Sequence, residues 1–408
     1  MSAKTTYKQT EVGLIPEDWE VKKLGNEINI LGGNAFSSND ISEEGIKWLK
    51  IANVGINKIK EDVLEFLPFE FKEIHKDFLL KSGDYVMALT RPLLGGKLKI
   101  SKILNNDEWL LNQRVAKLDS KVGTIEYYIN YFKQPYFCYQ LEVLMAGTDP
   151  PNLSLTEFKN IKIPVPPLPE QKKIADCLST WDVAIEKQNA LINALTDRKK
   201  ALMQQLLTGK KRLPGFEGKW KEVKLGEIGE IQTGNTPSKL ESENWNGEYY
   251  WCTAEDMKSK YVNNTAQKLT KKGWSLARTV KANSILVTCI ASIGINAITN
   301  VECSFNQQIN SITPNENFST EFIYYLMNNS KENLLKYAGA GALPMLNKNT
   351  FSSIKFKFPT LSEQTAIAEI LATADRELQL QKEKLAQLQI QKKGLMQVLL
   401  TGKKRLMN

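Results

Sequence analysis

The 408-residue chain carries 54 Lys and Arg against 45 Asp and Glu, a net charge of +9, and 42% of its residues are hydrophobic. A length of this order suggests two or three domains, and no apolar run reaches the ~18 residues of a membrane span or resembles a signal-peptide core. One histidine, His75, leaves little room for His-based zinc sites or for Ser-His-Asp and Cys-His catalysis, and its neighbours Glu73, Lys76 and Asp77 read as an exposed helix.

In chain order, Met1 to Thr10 is polar and is expected to fray. GLIPEDWEVKKLG (13–25) follows, and a similar segment, RLPGFEGKWKEVKLG (212–226), lies after the middle of the chain. A Gly-rich turn comes next, LGGNAFSSND (31–40), matched by QTGNTPSKLE (232–241). Short β-type runs then pair off: IKWLKIANV with GEYYWCTAEDM, and KSGDYVMALTR with KANSILVTCIASIG. Asn112-Gln113 in LLNQRVAKL matches Asn306-Gln307 in SFNQQINSI, and an aromatic helix follows each. PPNLSLTEFKNIKIPVP (150–166) matches LPMLNKNTFSSIKFKFP (343–359). Short strands broken by Gly, Pro and Asn, with a few helices, predict α+β blocks and not a βαβ sheet.

Each block leads into a long helical stretch, Leu168–Leu213 and Leu361–Leu406, and the two align without a gap at about half identity. Seam positions step alternately by four and three: Ile174, Leu178, Trp181, Ile185, Gln188, Ile192, Leu195, Lys199, Leu202 and Leu206. The second copy places Ile367, Leu371, Ala374, Leu378, Gln381, Leu385, Leu388, Lys392, Leu395 and Leu399 there, a coiled-coil pattern. Prolines before the first copy, then Gly209 and Pro214, bound it. About 38 residues at 1.5 Å each would span roughly 57 Å, a length that suits a spacer. The polar seam residues either fix register or snorkel to water. Two similar seams predict one antiparallel pair about a pseudo-twofold axis. The divisions expected are residues 1–167, 168–212, 213–360 and 361–408.

The five cysteines, Cys138, Cys177, Cys252, Cys289 and Cys303, form no C-x-x-C pair and suit free thiols in a cytoplasmic protein. The basic excess suggests a polyanionic partner, against the plainer alternative of a lysine-rich solvated surface.

The paired PLPEQ–helix–LLTGKKRL and LSEQ–helix–LLTGKKRL segments, RLPGFEGKW, the GNTPSK turn and SFNQQINSI, in that arrangement over nearly the whole chain, resemble the DNA-specificity subunits of type I restriction-modification enzymes. The resemblance implies two target-recognition domains, each reading half of a split asymmetric DNA site. It implies an antiparallel helix pair that sets the gap and docks two modification (methyltransferase) subunits, to which restriction (endonuclease and translocase) subunits join. It also implies no catalytic role for this chain: S-adenosylmethionine, ATP and Mg would belong to the partners. The first block departs from the family turn, with Asn34-Ala35-Phe36-Ser37 where the second has Asn235-Thr236-Pro237-Ser238.

Asp149-Pro150-Pro151-Asn152 looks like the D-P-P-Y motif of adenine methyltransferases but lacks the aromatic residue that stacks a flipped base. Its counterpart, Leu343-Pro344-Met345, marks a scaffold position. Gly95-Gly96-Lys97 lacks the P-loop spacing. Cationic side chains supply phosphate affinity and polar ones supply base choice. The DNA-binding candidates are therefore Asn34, Arg91, Lys97, Lys99 and Arg114 in the first block. In the second they are Asn235, Thr236, Lys239, Lys258, Lys260, Lys271, Lys272 and Arg278. The Asn-Gln pairs, at matched positions, read as structural. A ruler of this kind would hold its two half-sites about one DNA turn, roughly 34 Å or 10 bp, apart. A stand-alone coiled-coil DNA-binding regulator and a protein-binding adaptor are the competing readings.

Overall fold

The computed structural model describes residues 6–104, 108–339 and 344–406. It divides into two compact units, Met1–Gln188 with Lys384–Asn408, and Asn189–Glu383. Both cuts fall inside the long helices, Leu168–Leu206 and Leu361–Leu399, and not at the divisions expected from sequence. The reason is the seam: it binds each half-helix to the globular block beside it.

In the first unit, the strands Ile28–Gly32, Tyr85–Ala88, Ile100–Lys102 and Val115–Ser120 make an antiparallel sheet in which 85–88 and 115–120 are central. A second sheet runs 66–67, 46–49, 109–111, 79–80, with Ile46–Leu49 parallel to Trp109–Leu111. Period-two alternation explains the layering. Val86, Ala88 and Val115 meet Leu49, Trp109 and Leu111 in one core. Met87, Ala116 and Leu118 turn the other way, joining Ile28, Tyr127, Phe132 and Phe137. Ile46, Trp48 and Leu110 form a third cluster with Phe36. Each large side chain so buried contributes roughly 1.5–3 kcal/mol.

The second unit repeats this plan. Its antiparallel sheet orders 229–233, 309–314, 285–288 and 296–299, extended at the edge by a parallel strand, Tyr261–Val262. Its other sheet orders 267–269, 245–252, 303–305, 279–280, and Trp245–Cys252 is again parallel to Cys303–Phe305. Mixed sheets with packed helices make both units α+β.

Within each unit the long helices run antiparallel. Residues 168–188 face 384–399 in the first, and 189–206 face 361–383 in the second. Every seam position is buried or half-buried. The seam lysines do not snorkel. Lys392 Nζ lies 2.5 Å from Asp182 in the first unit, and Lys199 pairs with Asp375, the matched aspartate, in the second. These pairs mark the register.

The Glu-Gln that opens each long helix and the Lys-Lys-Arg that follows the other are partners. Buried Glu170 takes two bonds from Arg405 (2.7 Å each) and one from Trp19 Nε1 (3.0 Å), while Arg405 also grips Asp18 through both Nη atoms (2.8 and 2.7 Å). Arg405 holds the Asp18 carboxyl below its ordinary range by hydrogen bonding, against an opposing effect of burial. In the second unit Arg212 grips Glu363 (2.6 and 2.8 Å) and donates to the carbonyls of Gly218 and Glu217. Gln171 and Gln364 close the same turn, donating to Pro166 and Pro359 and accepting from the N–H groups of Thr124 and Ser319, which begin the aromatic helices.

One expectation is corrected. Tyr7–Thr10 is not frayed: it pairs with Gly13–Pro16, because Thr10 Oγ1 bonds Gly13 O and Tyr7 OH reaches Gly402 O. Met1–Thr5 lies outside the described residues. His75 is half-buried, its ring edge-on to Phe36 (5.0 Å) and near Phe71 (5.1 Å), so it belongs to an aromatic cluster. Among the described residues no helix is long and apolar enough to cross a membrane.

Candidate nucleic-acid interface

The Gly-Asn turn and the Asn-Gln pair touch in both units. A Cβ on Gly33 would lie 2.2 Å from Asn112 O, and one on Gly234 would lie 2.2 Å from Phe305 O, so only glycine permits this approach. Backbone bonds fix the contact: Asn34 N to Leu111 O (2.9 Å), Gln113 N to Asn34 O (2.8 Å), and Asn235 N to Phe305 O (3.0 Å). A second contact also repeats. Arg91 N donates to Pro151 O (2.7 Å) and Leu153 N to Leu89 O (2.8 Å); Ala291 N donates to Pro344 O (3.1 Å) and Leu346 N to Cys289 O (2.8 Å). Arg91 and Ala291 share a left-handed backbone, φ +47° and +60°. Asn152 accepts from Thr90 Oγ1 (2.8 Å), so the segment resembling a methyltransferase motif is strapped into the scaffold. Leu343 of its counterpart lies outside the described residues.

The candidate residues distribute unequally. Arg91 and Arg114 are exposed beside the Thr90–Asn152 contact. Lys97 is exposed on the hairpin Leu93–Leu94/Lys97–Leu98, whose turn residues Gly95 and Gly96 both have positive φ. Half-buried Lys99 is depressed chiefly by burial, with Lys60 and Arg91 adding like-charge repulsion. An anion among these three cations would relieve that repulsion. Asn34 is engaged through its backbone.

In the second unit Asn235, Thr236 and Arg278 come together. Asn235 Nδ2 donates to Leu276 O (2.8 Å), its Oδ1 accepts from Arg278 N (2.7 Å), and Arg278 Nη1 bonds Thr233 O (2.7 Å). Thr236 Oγ1 bonds Gln307 Oε1. The Asn235 amide thus ties two loops together. Lys239 is exposed, its ammonium 5.9 Å from the ring centres of Trp245 and Trp251. Lys271 and Lys272 open the helix Lys271–Leu276, and Lys272 pairs with Glu243 (2.7 Å). Lys258 is exposed on its loop. Lys260 faces another way: it bonds Tyr325 OH (3.1 Å) and pairs with Glu321, packed over three tyrosines. Its burial against the helix Thr320–Asn329 separates it from the exposed cations.

Leu240, an apolar residue amid polar neighbours on the Gly-Asn turn, is 99% exposed.

The family model described as type I restriction modification DNA specificity domain matches twice, over residues 16–197 and 217–389. The type I restriction enzyme MjaVIII specificity subunit of Methanocaldococcus jannaschii is 40% identical over 211 residues, 51% of this chain and 50% of that one. The chain therefore spans about half the length of that relative. The putative MjaX specificity subunit of the same organism is 27% identical, with 98% of this chain and 96% of the relative covered. The crystal structure of the S subunit of a type I restriction-modification system from M. genitalium shares the fold, with a TM-score of 0.58 at 16% identity, over 93% of this chain and 96% of that one.

Proposed function

The chain belongs to the type I restriction modification DNA specificity family, and from that membership we propose that it reads DNA, without catalysis of its own, for a restriction-modification complex. Each unit recognises one part of a two-part asymmetric target. The observation that carries this reading is a duplicated scaffold bearing unlike exposed side chains at matched places. Arg91 stands where the other unit has Ala291, and Arg114 where it has Gln308. A common frame with divergent contact residues suits one task performed on two sequences. The match over both halves disfavours a stand-alone regulator.

Two modification subunits dock on the long helices, and restriction subunits join them. Off-seam apolar residues support this: Val183 and Ile390 are 49% and 62% exposed in the first unit, Leu191 and Leu380 43% and 63% in the second. These four leave apolar surface on the outer helix faces for a partner to cover. S-adenosylmethionine, ATP and Mg reside in those partners, and a cytoplasmic place of action fits the five free cysteines.

The test is to map methylated adenines in the host genome with and without this gene. A two-part motif with a fixed gap should vanish on deletion, and exchange of the second block should alter one part only. A single contiguous motif refutes the reading. DNA binding by the complex should weaken steeply with salt, as counterion release requires.

A further inference from the structure

Leu240 lies on the turn that continues from the Gly234–Phe305 contact, and water surrounds it almost completely. The turn is held from both sides. Trp245 Nε1 and Asn244 Nδ2 both donate to Ser238 O (3.0 and 3.2 Å), and Trp251 Nε1 donates to Asn235 O (3.1 Å). Pro237 between them is buried. An apolar side chain on so well-anchored a turn has no nearby core to fold into, although sequestering it would be favourable.

The sister unit supplies an internal comparison. Aligning Gly33 with Gly234 sets Ser37 on Ser238, Ser38 on Lys239 and Asn39 on Leu240. Asn39 is also exposed. The glycine and asparagine are kept, while the backbone beyond them differs, Asn39 lying within a single 3-10 turn (Ser38–Asp40) and Leu240 ahead of one (Ser242–Asn244). The loop thus changes between the units in backbone as well as in side chain, as suits a segment that meets a different target in each. Lys239 and Arg278 supply positive charge nearby.

We propose that Leu240 is a specificity-determining residue of the second unit, making an apolar contact with the 5-methyl group of a thymine in the major groove. Among the groups on base edges the chemistry favours this one: a leucine side chain neither donates nor accepts hydrogen bonds, and thymine's methyl is the apolar group that base pairs present at the major-groove edge. This inference rests on the function proposed above, with the second unit contacting the part of the target it reads.

The test uses the chain in complex with its modification subunits and a duplex carrying the mapped target. Each thymine in the second unit's part is replaced singly by deoxyuridine, which removes only the methyl group. One such replacement should weaken binding roughly fourfold, the size expected for withdrawing one methyl-sized apolar group from water. Leu240→Ala should weaken binding to the thymine duplex by a similar factor and lose little more on the matching deoxyuridine duplex. Leu240→Asn should relax the preference at that base pair while the first part of the motif stays unchanged. The proposal is overturned if every deoxyuridine duplex binds within twofold of the parent. It is equally overturned if the losses from Leu240→Ala and deoxyuridine simply multiply. Loss of modification subunits from the Leu240→Ala complex would also overturn it, making Leu240 a protein contact. A mapped motif with no second part would instead defeat the underlying function. Because the side chain is exposed, thermal stability should not change, and melting curves check that.

Discussion

Replacing Arg405 with alanine leaves Glu170, 2% exposed, without the cation that takes both its oxygens. Removing one partner of a buried ion pair costs about 3–5 kcal/mol. Here Trp19 Nε1 and the Leu406 N–H still face the carboxylate, so the lower end applies, about 3 kcal/mol. For a unit of roughly 200 residues each kcal/mol moves the midpoint by about 2–4 °C, giving a loss of roughly 6–12 °C. Thermal melting followed by tryptophan fluorescence would report it, since Trp19 lies in the lock. Adding Glu170→Gln should recover part of the loss, because an amide is cheaper to bury than a carboxylate. The Asp18 carboxyl adds a pH signature. Its folded pKa lies below the ordinary 3.8 through the Arg405 hydrogen bond. It therefore contributes stability above pH 3.8 that is lost as pH falls through the folded value. In Arg405→Ala that acid-side contribution disappears. If Arg405→Ala shifts the midpoint no more than Arg198→Ala, whose pair with Glu377 spans 3.7 Å with both side chains well exposed, the lock is not what holds the helix end.

Lys133 is pushed down to about 8, mainly by burial, with Asp182 opposing and Lys392 adding to the effect. Between about pH 8 and 10.5 the unfolded chain binds the extra proton, so stability should rise with pH there. Denaturant titrations of Lys133→Met should show that rise flattened. Asp182→Ala strands the Lys392 ammonium, whose side chain is 10% exposed, and should cost about 2 kcal/mol in urea unfolding. Lys392→Met, which leaves only the half-exposed Asp182, should cost under about 1 kcal/mol. Gly234→Ala drives a methyl to 2.2 Å from Phe305 O and should destabilise the second unit by about 1–3 kcal/mol. Methylation mapping should then show the second part of the target degraded and the first retained.

The long helices were legible because a seam of alternating three and four steps survives any context, and every residue it named is covered. What the seam could not show was where its polar members went. Lys392 meeting Asp182 requires knowing that two segments 210 residues apart run antiparallel in one register. The Glu-Gln and Lys-Lys-Arg repeats were visible as repeats but not as partners, since nothing local in Glu170 points to Arg405. Residue type alone did not show that the Lys260 ammonium sits among tyrosines. Nor did it show that the Asn235 amide joins two loops.

Duplication within one chain separates these cases better than residue type does. Where both units place the same backbone contact, as at Gly33 with Asn112 and Gly234 with Phe305, the shared residues serve the frame. Where the frame is shared and the outward side chain differs, the difference has no structural task left to explain it. Arg91 and Ala291 have the same left-handed backbone and the same hydrogen bond to the strapping segment, yet one presents a guanidinium and the other a methyl. A non-glycine residue in that conformation is uncommon, so keeping it in both units reflects a scaffold need for the bend, which leaves the outward side chain free to differ. By this criterion Arg91 and Arg114, whose backbone bonds recur at Ala291 and Gln308, rank above Asn34, Asn235 and Lys260 as candidate readers of sequence. A residue that merely supports the frame should affect both affinity and stability when replaced, whereas these two should change target choice with the melting temperature unmoved.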